Sequence, residues 1–248
     1  MLKKLIFTAF CIVASVITAS AQWSGYNSVW QNHNNLIVDQ AIGNAIMCGA
    51  YRKANGGNLP AECTRGKSSS SSQGRSNVSS SSGTKTQPSG SSQFTPVATD
   101  NSFQKFADMG STQEEKQLML QIANTTKESF ERQNAVKGWK NNVAGAMTFF
   151  IVTNSTLYNG EEVSDAAMDN LFKSLNSTMG ENLAGASNKD KTELYNYLIA
   201  YAGLPLVIYA HGAQTGNAAQ VEQARKMAGS FVQLILKTEP ENLKALLK

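Results

Sequence analysis

Residues 64–93 contain almost no apolar side chains. Serine fills Ser68–Ser72 and Ser79–Ser82 and returns at Ser89, Ser91 and Ser92, with glycines and Pro88 between. Such a stretch cannot bury enough surface to offset the entropy of ordering it. It therefore reads as a flexible, disordered tether. The tether divides the 248-residue chain. A sizeable core has to come from residues 94–248, with 22–63 as a smaller separate segment.

The first 21 residues read as a secretory signal peptide. Lys3 and Lys4 supply the positive start, Leu5 to Ile17 is an uncharged, mainly apolar run, and Ala19-Ser20-Ala21 is a small-x-small cleavage pattern. The expected cut follows Ala21. The apolar run is shorter than the roughly 20 residues that a membrane span needs. The mature chain is expected to be secreted or periplasmic and to carry no transmembrane segment. Its charge is uneven: 22–93 holds six Lys or Arg against two acids, and 94–248 holds 14 against 16. That excess is too small and too scattered for a nucleic-acid protein.

Residues 29–53 lack proline, and Trp30, His33, Ile37, Ala41, Asn44, Cys48 and Tyr51 recur at intervals of three and four. This predicts an N-terminal helix, ended by Gly56-Gly57 and Pro60. Cys48 and Cys63 are the cysteines left after signal cleavage, and in an oxidising compartment they are expected to pair. Closing that loop is worth about 3 kcal/mol in the chain-entropy model. Trp23, Tyr26 and Trp30 crowd the new N-terminus; such residues are enriched at interface centres, which makes them a candidate partner-docking segment.

Residues 94–248 read as all-α, a bundle of about five helices. Thr112 with Glu115 is a capping-box pattern before a helix to about Asn134, with Met119, Ile122, Thr126 and Phe130 on one face. A second helix starts near Trp139–Asn142 and carries Val143, Ala146, Met147, Phe150 and Thr153; Asn154 to Gly160 reads as a turn-rich break. Ser164 caps a third, with Met168, Leu171, Phe172, Leu175 and Met179 inward. Ser187 with Asp190 opens a fourth, in which Pro205 predicts a kink or break because it has no N–H for the Tyr201 carbonyl. Asn217 caps a fifth, with Val221, Ala224, Ala228, Phe231 and Ile235 at helical spacing, and a short amphipathic tail follows Pro240.

Four pieces stand out: Lys137-Gly138-Trp139-Lys140-Asn141-Asn142-Val143-Ala144-Gly145-Ala146, Tyr158-Asn159-Gly160, Leu194-Tyr195-Asn196-Tyr197-Leu198 and Ala224-Arg225-Lys226-Met227-Ala228-Gly229. Together they resemble a family of exported bacterial helical domains that carries a domain-of-unknown-function label. The likeness covers most of 94–248 and leaves out the serine tether. It implies an all-α fold and export, and no reaction. The residues themselves suggest structural roles. Asn141 or Asn142 can cap a helix, Trp139 can anchor it, and the small Ala144, Gly145 and Ala146 allow another helix to come close.

Chemistry is sparse. With two histidines, His33 and His211, and three cysteines in the whole chain, a zinc site built from a Cys/His cluster is excluded. No metal or other cofactor is expected. His211, near the end of the fourth helix, suits that helix's negative end. Glu115, Glu161, Glu162 and Asp165 lie at or before helix starts, where the macrodipole favours acids. They are also the acids that a peptidoglycan-directed hydrolase or lyase would use. A break at Pro205 would open a cavity for a small apolar ligand near Tyr201, Tyr209 and His211. The reading that needs no unseen geometry is a non-enzymatic interaction or structural module with a protein or envelope partner.

Overall fold

The computed structural model describes residues 92–245 and Leu247. The expected signal peptide, the expected helix over 29–53, Cys48 and Cys63, the candidate docking residues Trp23, Tyr26 and Trp30, and the expected tether up to Ser91 lie outside the described residues.

Among the described residues the fold is all-α. Helices α1 (Ser102–Ala107), α2 (Gln113–Asn134), α3 (Val143–Asn159), α4 (Asp165–Asn182), α5 (Asn188–Thr215) and α6 (Ala218–Leu236) are joined by short turns, with 3-10 segments at Ala135–Lys137 and Pro240–Ala245. Among these residues there is no strand; one antiparallel bridge pairs Gln93 with Asn142. No helix among the described residues is long and apolar enough to cross a membrane.

The starts of the long helices follow the local chemistry. Thr112 Oγ1 accepts the Glu115 N–H, Ser164 Oγ that of Ala167, and Asn217 Oδ1 that of Gln220. Ser187 and Asp190 form a full capping box. The box at Thr112 is half made, because Glu115 Oε2 accepts instead from the Ser111 N–H at 2.8 Å.

Helix α3 is the centre. Every residue from Val143 to Leu157 is buried, because α4, α5, α6 and the last 3-10 segment all pack on it. Helix α5 packs in turn on α1, α2 and α6. The break expected at Asn154–Gly160 is not there: α3 runs to Asn159 and ends at Gly160 in the left-handed conformation. Asn and Thr favour turns when their side chains compete for the backbone. Here Thr148 Oγ1 and Asn154 Nδ2 donate to the carbonyls four residues back, of Ala144 and Phe150. These donors bond along the helix and leave its ladder closed.

Of the kink or break expected at Pro205, the break is absent. Helix α5 continues through Pro205 to Thr215. A proline inside a helix costs about 3 kcal/mol, but both halves of α5 are committed to one core, with Tyr195–Ile208 buried throughout. Burying even two of those large side chains offsets the loss, at about 1.5–3 kcal/mol each.

Two glycines set close approaches. Gly145 makes room for Trp139, not for a neighbouring helix as its sequence context suggests: a Cβ there would stand 2.6 Å from Trp139 Cβ. Trp139 itself is buried beside Phe130 and Phe172. Gly203 lets α5 lie against Thr126 of α2, whose side chain a Cβ would overlap. We expect Gly203→Ala to destabilise the bundle by about 1–3 kcal/mol, and Thr126→Ala to recover part of that loss in the double variant. Chemical denaturation of the four proteins of this cycle checks it; additive losses would contradict the contact.

Candidate functional site

A network of polar bonds lies where residues 92–100 join the bundle. Helix α3 begins in the interior, where water cannot serve its first N–H groups. Asn142 Oδ1 accepts from Ala144 N at 2.9 Å and Gly145 N at 3.2 Å. The Ser92 carbonyl accepts from Val143 N at 3.0 Å, and Phe94 N donates to the Asn141 carbonyl at 3.0 Å. Asn142 Nδ2 donates to Asn176 Oδ1 of α4 at 3.1 Å. The Ser92 hydroxyl lies within bonding distance of both Asn142 Oδ1 and Asn176 Oδ1, and its single proton serves one of them at a time.

The segment then runs along α5. Thr95 N donates to Asn188 Oδ1, Val97 N to Thr192 Oγ1, and Asn196 Nδ2 to Asp100 Oδ2 at 2.7 Å. Asn188, Thr192 and Asn196 are spaced by four, so they form one face. Phe94 is buried edge-on to Tyr195. Ser92 and Gln93, on the tether side of the expected boundary at 94, are therefore bonded into the bundle. Helix α1 and the Asn188–Thr192–Asn196 row were not anticipated. The four-residue spacing is the row's own signal in the sequence.

Two of the family-like pieces meet beside this strap. Tyr195 Oη donates to Glu131 Oε1 at 3.1 Å and accepts from Asn141 N at 3.4 Å, while Lys140 pairs with Glu131 Oε2 at 3.4 Å. Asn141 adopts a left-handed φ of 54°, which asparagine tolerates better than most residues. It is Asn142, of the two cap candidates, that caps α3.

Of the candidate acids, Glu115 is distant in the chain from the group Glu161, Glu162 and Asp165, and each has a local role or open water. Glu115 is buried at the α1–α2 turn, bonded to Ser111 N. Glu161 pairs with Lys244 at 2.8 Å. Glu162 is exposed, and Asp165 is exposed in the first turn of α4. His211 sits one turn inside the end of α5, where Nδ1 meets Gln220 Oε1 of α6 at 2.8 Å.

The residues expected around a ligand cavity separate by depth. Tyr201 and Pro205 are buried, whereas Tyr209 and His211 are partly exposed. Tyr201 packs edge-on to Phe106 and Phe231, with ring centres 5.3 and 4.8 Å away, and its hydroxyl faces Met109 Sδ at 3.9 Å. Since α5 is unbroken, no helix break opens a space at Pro205. Burial first, then the neighbouring Tyr197, holds the Tyr201 phenol far above its ordinary range. Burial first and then the Glu131 charge do the same to Tyr195, and burial and then the Glu193 charge to Tyr197.

Two outcomes follow. Asn142→Ala removes the cap of α3 and strips Ser92 and Asn176 of a partner. We expect a loss of about 2–4 kcal/mol in urea denaturation, while Asn142→Asp, which keeps the acceptor, loses less. Each buried tyrosine has its folded pKa raised, so its contribution is complete below the unfolded value near 10 and declines as pH rises above it. Between pH 9 and 11.5 stability should fall, and Tyr201→Phe should lessen the fall by up to about 1.4 kcal/mol per pH unit above 10. Equal slopes for the two proteins would contradict that.

No curated protein and no solved structure matches the chain. A family model does, over residues 1–245, and this span includes the serine-rich stretch that the resemblance left out. The four pieces that carry the resemblance are distributed through the bundle just described, from the cap of α3 to the middle of α6. The chain thus belongs to a family of unknown function, DUF6683.

Proposed function

We propose that the protein is an exported bacterial interaction module: a rigid helical body that presents its N-terminal segment to a protein or envelope partner. The observation that carries this reading is the anchorage of residues 92–100. The backbone of Ser92 and Phe94 is bonded to the turn that starts the central helix, and Asp100 is held by Asn196 of α5. The chain preceding Ser92 is thereby attached at a fixed point of the body. Trp23, Tyr26 and Trp30 lie on that chain and suit the centre of an interface. Export rests on the signal pattern at 1–21.

The geometry supports a scaffold better than a peptidoglycan hydrolase. Glu115 bonds its own helix start and Glu161 bonds Lys244, whereas a glycosidase needs two acids facing each other across a cleft roughly 5–9.5 Å wide. It supports a scaffold better than an apolar-ligand carrier because Tyr201 is packed between α1 and α6.

The test is affinity capture from envelope extract with mature 22–248 and with the same protein carrying Trp23→Ala and Trp30→Ala. A partner retained by the first bait and lost by the second is the expected result. Clearing of a peptidoglycan gel by the mature protein, abolished by Glu115→Gln or Glu161→Gln, would overturn the reading.

A further inference from the structure

The two ends of the bundle are attached by different means. The N-terminal strap is joined through backbone bonds to the start of α3. The C-terminal 3-10 segment, Pro240–Ala245, lies on α3 and α6 and is tied through side chains. Tyr158 Oη donates to Glu241 Oε1 at 2.5 Å, Lys244 Nζ to Glu161 Oε1 at 2.8 Å, and Gln233 Nε2, at the end of α6, to Glu239 Oε2 at 2.6 Å. All three ties are exposed; one is an ion pair and two are hydrogen bonds from neutral groups to a carboxylate, and an ion pair in water holds weakly. The segment's inner side is apolar: its own Leu243 and Pro240 are buried, and beside Pro240 the Tyr158 ring lies across Gly229 of α6.

A polar group lies on the same side of α3. Asn154, one turn before Tyr158 and so on the same helix face, is wholly buried. Its Nδ2 donates to the Phe150 carbonyl, but its Oδ1 has no partner. A buried acceptor without a donor is stabilised by whatever admits water to it. Exposed ties on the segment and unmet acceptors at Asn154 and Thr156 of the helix it packs on both favour its opening.

We propose that Pro240–Ala245 is a lid that opens while the bundle stays folded, uncovering the Asn154–Tyr158 face of α3. The opening is a local one, set by the three side-chain ties and by Leu243, and it is independent of the N-terminal strap.

Hydrogen exchange of the full chain, read by mass spectrometry, tests this. Three regions are followed: 239–245, 154–160, and 197–207 in the middle of α5. The expected result is exchange of the first two through a shared opening, faster than α5. The pair Glu161→Gln with Glu241→Gln should speed both by roughly three- to thirty-fold, the worth of two exposed ties, and leave α5 unchanged. Leu243→Ser, which removes the apolar hold, should speed them further with α5 still protected. Equal acceleration of all three regions in either variant overturns the lid, since opening would then be global. So does acceleration of 239–245 with 154–160 unmoved in both variants, and so does a Leu243→Ser protein that exchanges like the parent.

Discussion

The bundle depends on how α3 begins. A helix buried along its whole length has nowhere to leave the N–H groups of its first turn, and each left unmet in the interior costs about 1–3 kcal/mol. Asn142 meets two of them and the Ser92 carbonyl a third. That third acceptor comes from far back in the chain, Ser92 to Val143. Placing the strap is thus part of folding the central helix. Once Ser92 is seated, Phe94 reaches Tyr195, and Thr95 and Val97 fall on the α5 row. The strap, α3 and α5 form one unit for that reason.

Much of this was legible in the sequence, and the reason is local chemistry. Caps at Thr112, Ser164, Ser187 and Asn217 announce their helices because a short polar side chain meeting an orphan N–H is a property of a few adjacent residues. The apolar faces of α2, α4 and α6 follow from spacing alone. Where the reading failed, tertiary burial outweighed local preference. Asn154 and Pro205 both discourage helix in isolation, yet both sit inside helices flanked by buried residues on every side. Gly145 was read as a seat for another helix because sequence does not say that a side chain six residues earlier folds back onto it.

The strap site was least legible, for a physical reason. Its bonds join Ser92 to Asn142 and Asn176, and Asp100 to Asn196. Each partner is an ordinary polar residue with no motif of its own, and pairing over such separations is decided only when the helices pack. The same holds for Tyr195: beside Asn196 in a family-like piece it reads as a core residue, and its contact with Glu131 and Asn141 exists only once α2 and α5 lie together.

A chain with few charges has to choose where its ionisable groups go. Here the buried phenols of Tyr195, Tyr197 and Tyr201 are held neutral inside, and ion pairs such as Lys105 with Glu193 and Lys244 with Glu161 stay at the surface. Surface pairs add little stability, commonly about 0.2–1 kcal/mol, whereas burying one leucine adds about 1.5–3 kcal/mol. The strap combines interior backbone bonds with buried Phe94, so releasing it uncaps α3. The C-terminal segment combines surface pairs with buried Leu243, so releasing it leaves every helix cap in place. The two ends are thus held by different means: the N-terminal one by bonds made in the interior, the C-terminal one by surface ties around a single buried leucine.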